Sequence, residues 1–277
     1  MKSIMSVLLF LFCGAAMAEQ SIARAAPVIS AESAILLDYT TGTVLFEKNA
    51  DLLIPPASLT KLITIAIAED VIENGSVNLN EEVEIKPEYW AVNMPRDSSL
   101  MFLGPHQRVS LRDLLKGIAV SSGNDAAYAL ADFIAGSVSG FVELMNQKVR
   151  NLGFTTMHFV EPSGMSSKNR ITAREYAAFC RDYINRHPES LKELYSLKEF
   201  TFPRPENLKD GYKGTPITQY NRNSLLWSLE GVDGLKTGFI EASGYNIALT
   251  AQRDGMRVIA VLLGIPGNDH YQGSANR

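Results

Sequence analysis

Residues 55–75 read Pro55-Pro-Ala-Ser-Leu-Thr-Lys-Leu-Ile-Thr-Ile-Ala-Ile-Ala-Glu-Asp-Val-Ile-Glu-Asn-Gly75. The two prolines stop extended structure, and the run predicts a helix from Ser58 to Glu73, closed by Asn74-Gly75. Leu59, Leu62, Ile63, Ile65, Ala66, Ile67 and Ala68 make it apolar nearly all round. Such a helix belongs in the centre of a domain, so the elements on either side must supply its cover.

Upstream, Ala34–Asp38 and Thr43–Glu47 are two β-rich runs around Thr40-Thr41-Gly42, which reads as a hairpin. Downstream the chain turns helical. Ser110-Leu-Arg-Asp resembles a capping box, with Leu111, Leu114, Leu115 and Ile118 on one face behind it. Ala126–Ile134 and Phe141–Leu152 are further helices, the latter ending at Gly153. Thr172-Ala-Arg-Glu caps another, whose apolar face is Tyr176, Cys180, Tyr183 and Ile184; Cys180 there reads as packing, not as a nucleophile. Phe200–Gln219, rich in Pro, Gly, Lys and Asn, reads as loop or edge structure. Strand character returns at Gly234–Phe239, Asn246–Gln252 and Arg257–Leu263, with Asp254-Gly255 a hairpin signal. Strands at both ends with helices between them predict an α/β (α+β) chain, in which one sheet is built from both ends around a mostly helical insertion.

The chain's 277 residues, 46% hydrophobic and 20% charged, have an ordinary globular balance and allow one large domain or two small ones. A net charge of −4 with no Lys/Arg run argues against a nucleic-acid partner, which needs a concentrated basic face. Residues 1–25 read differently. Met1-Lys2, the apolar run Val7–Phe12 and Ala16-Met17-Ala18 have the shape of a signal peptide, with a second cleavage candidate at Ala23-Arg24-Ala25. The apolar run falls short of the ~20 residues of a spanning helix, and an uncleaved N-terminal anchor is the alternative. Cys13 follows bulky Phe12 and does not read as a lipid-attachment site. Once the signal is removed, Cys180 is the one remaining cysteine, which excludes an intrachain disulfide. Residues 26–277 are then the working domain.

Lys61 is the one charge between Ser58 and Ala68, and a lysine inside such a segment is costly without a partner or a task. Ser58 lies three residues earlier on the same helical face. Serine becomes a nucleophile when a base takes its proton. Lysine can be that base if its pKa falls by about three units, ~4 kcal/mol. Burial and a nearby cation both push that way, and the helix N-terminus offers a backbone N–H to an oxyanion. Read alone, Ser-x-x-Lys is equally a helix cap with its lysine reaching water.

Ser-x-Asn occurs at Ser76, Ser122, Ser167 and Ser274. Context favours Ser122-Gly-Asn124, because Ser121-Ser-Gly-Asn-Asp interrupts two apolar helices and would hold polar groups inside; the others read as turn chemistry. Lys236-Thr237-Gly238 occurs once and opens a strand. There Gly238 would let a ligand backbone approach, while Lys236 and Thr237 offer a charge and a hydroxyl to a carboxylate.

In this order the three elements resemble the signature of penicillin-recognising serine enzymes. Pro56–Leu62, Leu114–Ala126 and Val232–Gly238 are similar to the low-molecular-mass penicillin-binding proteins of the D-alanyl-D-alanine carboxypeptidase family, over most of Ala31–Gly264. The resemblance implies the β-lactamase/D,D-peptidase-like fold, an antiparallel sheet flanked by helices. It implies Ser58 as nucleophile, Lys61 as its base and Ser122 as proton relay. Asn124 would hold the substrate amide, Lys236 and Thr237 the terminal carboxylate, and the N–H groups of Ser58 and Phe239 the oxyanion. Arg222 resembles a family arginine near that carboxylate, a surface arginine being the other reading.

Peptidoglycan stem peptides and β-lactams are the implied ligands, with action outside the cytoplasmic membrane, in the periplasm or on the membrane's outer face. No cofactor or metal is implied. His106, His158, His187 and His270 lack metal spacing, and neither a Gly-x-Ser-x-Gly elbow nor a phosphate loop occurs. A D,D-endopeptidase would use the same residues, and a β-lactam sensor without turnover would keep Ser58. A class A β-lactamase would need a glutamate such as Glu161, here without the surrounding lactamase pattern. The family sheet is normally followed by a helix, often by a β-rich domain and a membrane anchor. A chain stopping at Arg277 is expected to expose an apolar sheet face and to melt below a longer form.

Overall fold

Around Thr40–Gly42 the chain reverses because Asp38 Oδ1 accepts bonds from both the N–H and the hydroxyl of Thr41, each at 2.7 Å. This turn joins strands β1 (Ser33–Asp38) and β2 (Val44–Lys48) in the expected antiparallel hairpin. The computed structural model describes residues 27–267; the proposed signal peptide and Ser274-Ala-Asn276 lie outside the described residues. Six α-helices occur among the described residues: α1 (Thr60–Glu73), α2 (Leu111–Val120), α3 (Asn124–Ala135), α4 (Val138–Asn151), α5 (Ala173–Arg186) and the short α6 (Leu225–Ser228). Strands β3 (Glu199–Thr201) and β4 (Thr218–Tyr220) form a small separate sheet, and the stretch between them is loop. The chain then returns through β5 (Val232–Ile240), β6 (Gly244–Arg253) and β7 (Met256–Ile265).

One five-stranded sheet, ordered β2-β1-β7-β6-β5 with every pair antiparallel, is thus built from both ends of the chain, as the strand distribution implied. The β6–β7 turn has positive φ at both Asp254 and Gly255, the geometry that a tight hairpin requires. Alternation along the strands separates the two faces. Ile35, Leu37, Ala248, Ile259, Val261 and Leu263 are buried against the helical side, where α5 packs on β1 and β7. Leu36, Ile247, Leu249, Val258 and Leu262 point the other way and are half-buried.

Helix α1 is buried on every side from Thr60 to Ala68. Its start departs from the sequence reading. Ala57–Leu59 form a 3-10 turn, with Ala57 at φ +51, and the α-helix begins only at Thr60. Ser58 is therefore held in a tight turn before the helix. Helix α3 likewise starts earlier than expected, at Asn124, and α4 starts at Val138, where Ser137 Oγ accepts from the Gly140 N–H at 3.0 Å. The capping box of α2 forms as expected, with Ser110 Oγ accepting from Asp113 N at 3.1 Å and Asp113 Oδ2 from Ser110 N at 3.1 Å. Thr172 caps α5, whose Tyr176, Cys180, Tyr183 and Ile184 are all buried in the core. Among the described residues, no single helix is long and apolar enough to cross a membrane.

Candidate active site

Three chain segments meet where α1 begins. The Ala57–Leu59 turn presents Ser58, half-buried with its hydroxyl at the surface of the helical core. One helical turn on, Lys61 is fully buried, and its Nζ contacts Ser58 Oγ at 2.9 Å, Asn124 Oδ1 at 2.6 Å and the Ser163 carbonyl at 2.6 Å. Two of these partners, an amide oxygen and a carbonyl, can only accept. The ammonium form donates to all three, whereas a neutral amine has two N–H groups for the two obligate acceptors and one lone pair left to accept the Ser58 hydroxyl proton. Burial pushes the Lys61 ammonium down to about 7, against the opposing pull of the Glu161 and Asp125 carboxylates. At neutral pH the base form is therefore well populated.

Strand β5 closes the other side. Lys236 is buried, with its Nζ donating to the Thr237 carbonyl at 2.9 Å. Burial, then the charges of Lys61 and Arg222, hold its pKa well below the ordinary lysine value. Like charges on these two buried lysines repel, which discourages the pair from being charged together. Thr237 is half-buried, and Phe239 is 45% exposed with its ring 4.5 Å from that of Tyr245. Gly238 has a nearer neighbour than a ligand: a Cβ there would lie 2.7 Å from the Ser58 N and 3.1 Å from the Pro56 carbonyl. Its bare face lets β5 dock on the turn that carries Ser58. Ser122 is buried at the α2–α3 junction, in the left-handed region at φ +58. Arg222 is exposed between two buried asparagines, with its charge reaching Lys236. Asn221 Nδ2 donates to the Tyr195 and Leu197 carbonyls, and Asn221 Oδ1 accepts from Asn223 N at 2.9 Å, which fixes the loop on either side of that arginine.

Several residues that hold this site were not legible as motifs. Asp125 is buried, its Oδ1 accepting from Met101 N at 2.8 Å and its Oδ2 from Leu103 N at 3.0 Å, so the Met101–Leu103 segment is tied to the start of α3. Burial raises its pKa, and those backbone N–H groups pull it back. Glu161 anchors the loop that carries Ser163. Its Oε2 accepts from Ser163 N (2.8 Å), Ser163 Oγ (2.6 Å) and Tyr128 OH (3.2 Å). Its Oε1 accepts from Gly164 N (2.7 Å), Asn169 Nδ2 (2.9 Å) and Ser166 N (3.3 Å). A carboxylate with both oxygens so occupied has no lone pair to activate a water, which removes the β-lactamase role considered for it. Asn169, read from sequence as turn chemistry, is instead fully buried, with Nδ2 also on Thr60 Oγ1 at 3.1 Å and Oδ1 accepting from Val160 N at 2.8 Å. The one sequence signal for this loop was a carboxylate beside a Pro-Ser-Gly turn.

Residues 20–267 match the family described as D-alanyl-D-alanine carboxypeptidase. Over 263 residues the chain is 40% identical to the D-alanyl-D-alanine carboxypeptidase DacC of Escherichia coli (strain K12), covering 94% of this chain and 62% of that one. It thus spans about three fifths of the length of that curated relative. Among solved structures, penicillin binding protein 5 from Haemophilus influenzae superposes with a TM-score of 0.81 at 37% identity, covering 91% of this chain and 69% of that one. The ampicillin-bound form of Penicillin-Binding Protein D2 from Listeria monocytogenes superposes with a TM-score of 0.74 at 28% identity, covering 91% and 96%. By sequence over nearly its whole length and by fold, the chain belongs to the D-alanyl-D-alanine carboxypeptidase family.

Proposed function

We propose that this protein is a serine D,D-carboxypeptidase that removes the terminal D-alanine from peptidoglycan stem pentapeptides outside the cytoplasmic membrane, and that β-lactams acylate the same serine. The observation that carries this reading is the fully buried Lys61 amine, 2.9 Å from Ser58 Oγ. Ser58 passes its proton to Lys61 as Oγ attacks the carbonyl carbon of the penultimate D-alanine. The oxyanion is received by the N–H groups of Ser58 and Phe239. As the C–N bond breaks, the proton reaches the departing D-alanine amine by way of Ser122, and water then hydrolyses the acyl-enzyme. Lys236, Thr237 and Arg222 attract and bind the terminal carboxylate, while Asn124 holds both Lys61 and the substrate amide. β5 is the last strand of the sheet and lies against the Ser58 turn, a position from which its outer edge can pair with an extended peptide.

Intact mass after addition of a penicillin, with Ser58→Ala alongside, tests the acylation. D-alanine release from a stem pentapeptide tests the turnover. A persistent adduct absent from the variant, together with D-alanine release, is the expected result. Rapid loss of the adduct, or cleavage of cross-linked dimers without release from pentapeptide, would overturn it.

A further inference from the structure

We propose that Glu161 is a positioning residue of the Ser58 site: it holds the Ser163 carbonyl on Lys61 and sets, by its charge, how readily Lys61 gives up its proton. This rests on the reading of Ser58 and Lys61 as nucleophile and base. The geometry runs through three bonds. Glu161 Oε2 accepts from both Ser163 N and Ser163 Oγ, and the carbonyl of that residue accepts from Lys61 Nζ at 2.6 Å. The next carbonyl back, that of Pro162, accepts from Thr64 Oγ1 at 2.7 Å, and Asn169 bridges Glu161 to Thr60. Three side chains of α1 therefore dock on one loop, and one carboxylate organises that loop.

Its charge matters because Lys61 is fully buried, where charges are weakly screened. Five groups face Lys61 or act on it through a neighbour. Glu161 from the loop and Asp125 from α3 favour its charged form. Lys236 from β5, with Arg222 beyond it, has the opposite sign of charge. Tyr128 of α3 donates to Glu161 and tempers its field. Without Glu161, burial acts with less opposition, and Lys61 becomes a weaker base that is neutral to lower pH. The carboxylate thus keeps Lys61 basic enough to take the Ser58 proton, while leaving it neutral near pH 7.

The test follows acylation by a fluorescent penicillin across pH in the wild type, Glu161→Gln and Glu161→Asp. In Glu161→Gln the acid limb of the rate is expected to move down by roughly one pH unit, with a lower plateau. In Glu161→Asp, which keeps the charge but shortens the reach, the plateau falls and the limb stays. A merely structural role would lower both plateaus and leave both limbs in place, which overturns the proposal. If Glu161→Gln does not fold, Tyr128→Phe carries the test: stripping one donor from the carboxylate strengthens its field, so the limb should rise by a few tenths of a unit, and an unmoved limb overturns the proposal. A wild type that is not acylated at Ser58 would count instead against the assigned function.

Discussion

Replacing Gly164 by alanine would separate the cost of a left-handed backbone from the cost of losing a close approach. Gly164 has φ +88, and a Cβ there would overlap the Ala57 carbonyl and come within 2.9 Å of the Ser58 N. Gly153, at the end of α4, has nearly the same backbone at φ +83 with nothing within 4 Å of a Cβ. Alanine at either position carries about 1–2 kcal/mol of left-handed strain. At Gly153 that is the whole effect. At Gly164 the loop must also retreat from the Ser58 turn, which stretches the 2.6 Å bond from Lys61 to the Ser163 carbonyl and the 2.7 Å bond from Gly164 N to Glu161. A hydrogen bond to a charged group contributes about 1.5–3 kcal/mol, so losing one brings the expected destabilisation to about 2.5–5 kcal/mol. Because the retreat moves the base relative to its serine, acylation should fall about a hundredfold. Urea unfolding gives the first quantity. Acylation by a fluorescent penicillin, below the melting temperature of both variants, gives the second. If Gly164→Ala acylates within about threefold of Gly153→Ala, the packing of this loop on Ser58 is not what positions the site.

Acylation by the wild type should rise with pH through about 7, since burial depresses Lys61 to that value and only its neutral form accepts a proton; a rate flat from pH 5.5 to 8.5 would contradict Lys61 as the base. His187 is a pH-dependent strut, its Nδ1 2.8 Å from Glu73 and its Nε2 3.2 Å from Asp70. Burial lowers its pKa, but the bonds and charges of Asp70, Glu69 and Glu73 outweigh burial and raise the net value. Its stabilisation is therefore complete below the unfolded pKa and fades as pH climbs through the raised folded one, so His187→Gln should lower the melting temperature more at pH 5.5 than at pH 8.5. Arg222→Gln should raise KM for a stem pentapeptide about tenfold with kcat little changed, and unchanged steady-state constants would make it a surface arginine. Asn169→Ala should cost about 2 kcal/mol in chemical denaturation, because it removes the buried amide that donates to Thr60 Oγ1 and to Glu161.

What the linear sequence determined was whatever local chemistry writes into neighbouring residues. The apolar run from Leu59 to Ala68 announced a central helix, and the capping residues Ser110 and Thr172 marked where α2 and α5 start. The strands at both ends announced a sheet closed by the two halves of the chain. Ser58 and Lys61 were legible as a pair because three residues of helical spacing suffice to bring them together. Tertiary structure decided everything that depends on distant backbone. It placed Asn124 and the Ser163 carbonyl on the same lysine, gave Ser58 a 3-10 turn instead of a helical start, and put the bare face of Gly238 against that turn. Glu161 and Asn169 carry no sequence signature of their role, because their partners are main-chain N–H groups and hydroxyls. Every residue but proline supplies a backbone N–H, so only the fold determines which of them a buried carboxylate or amide will find.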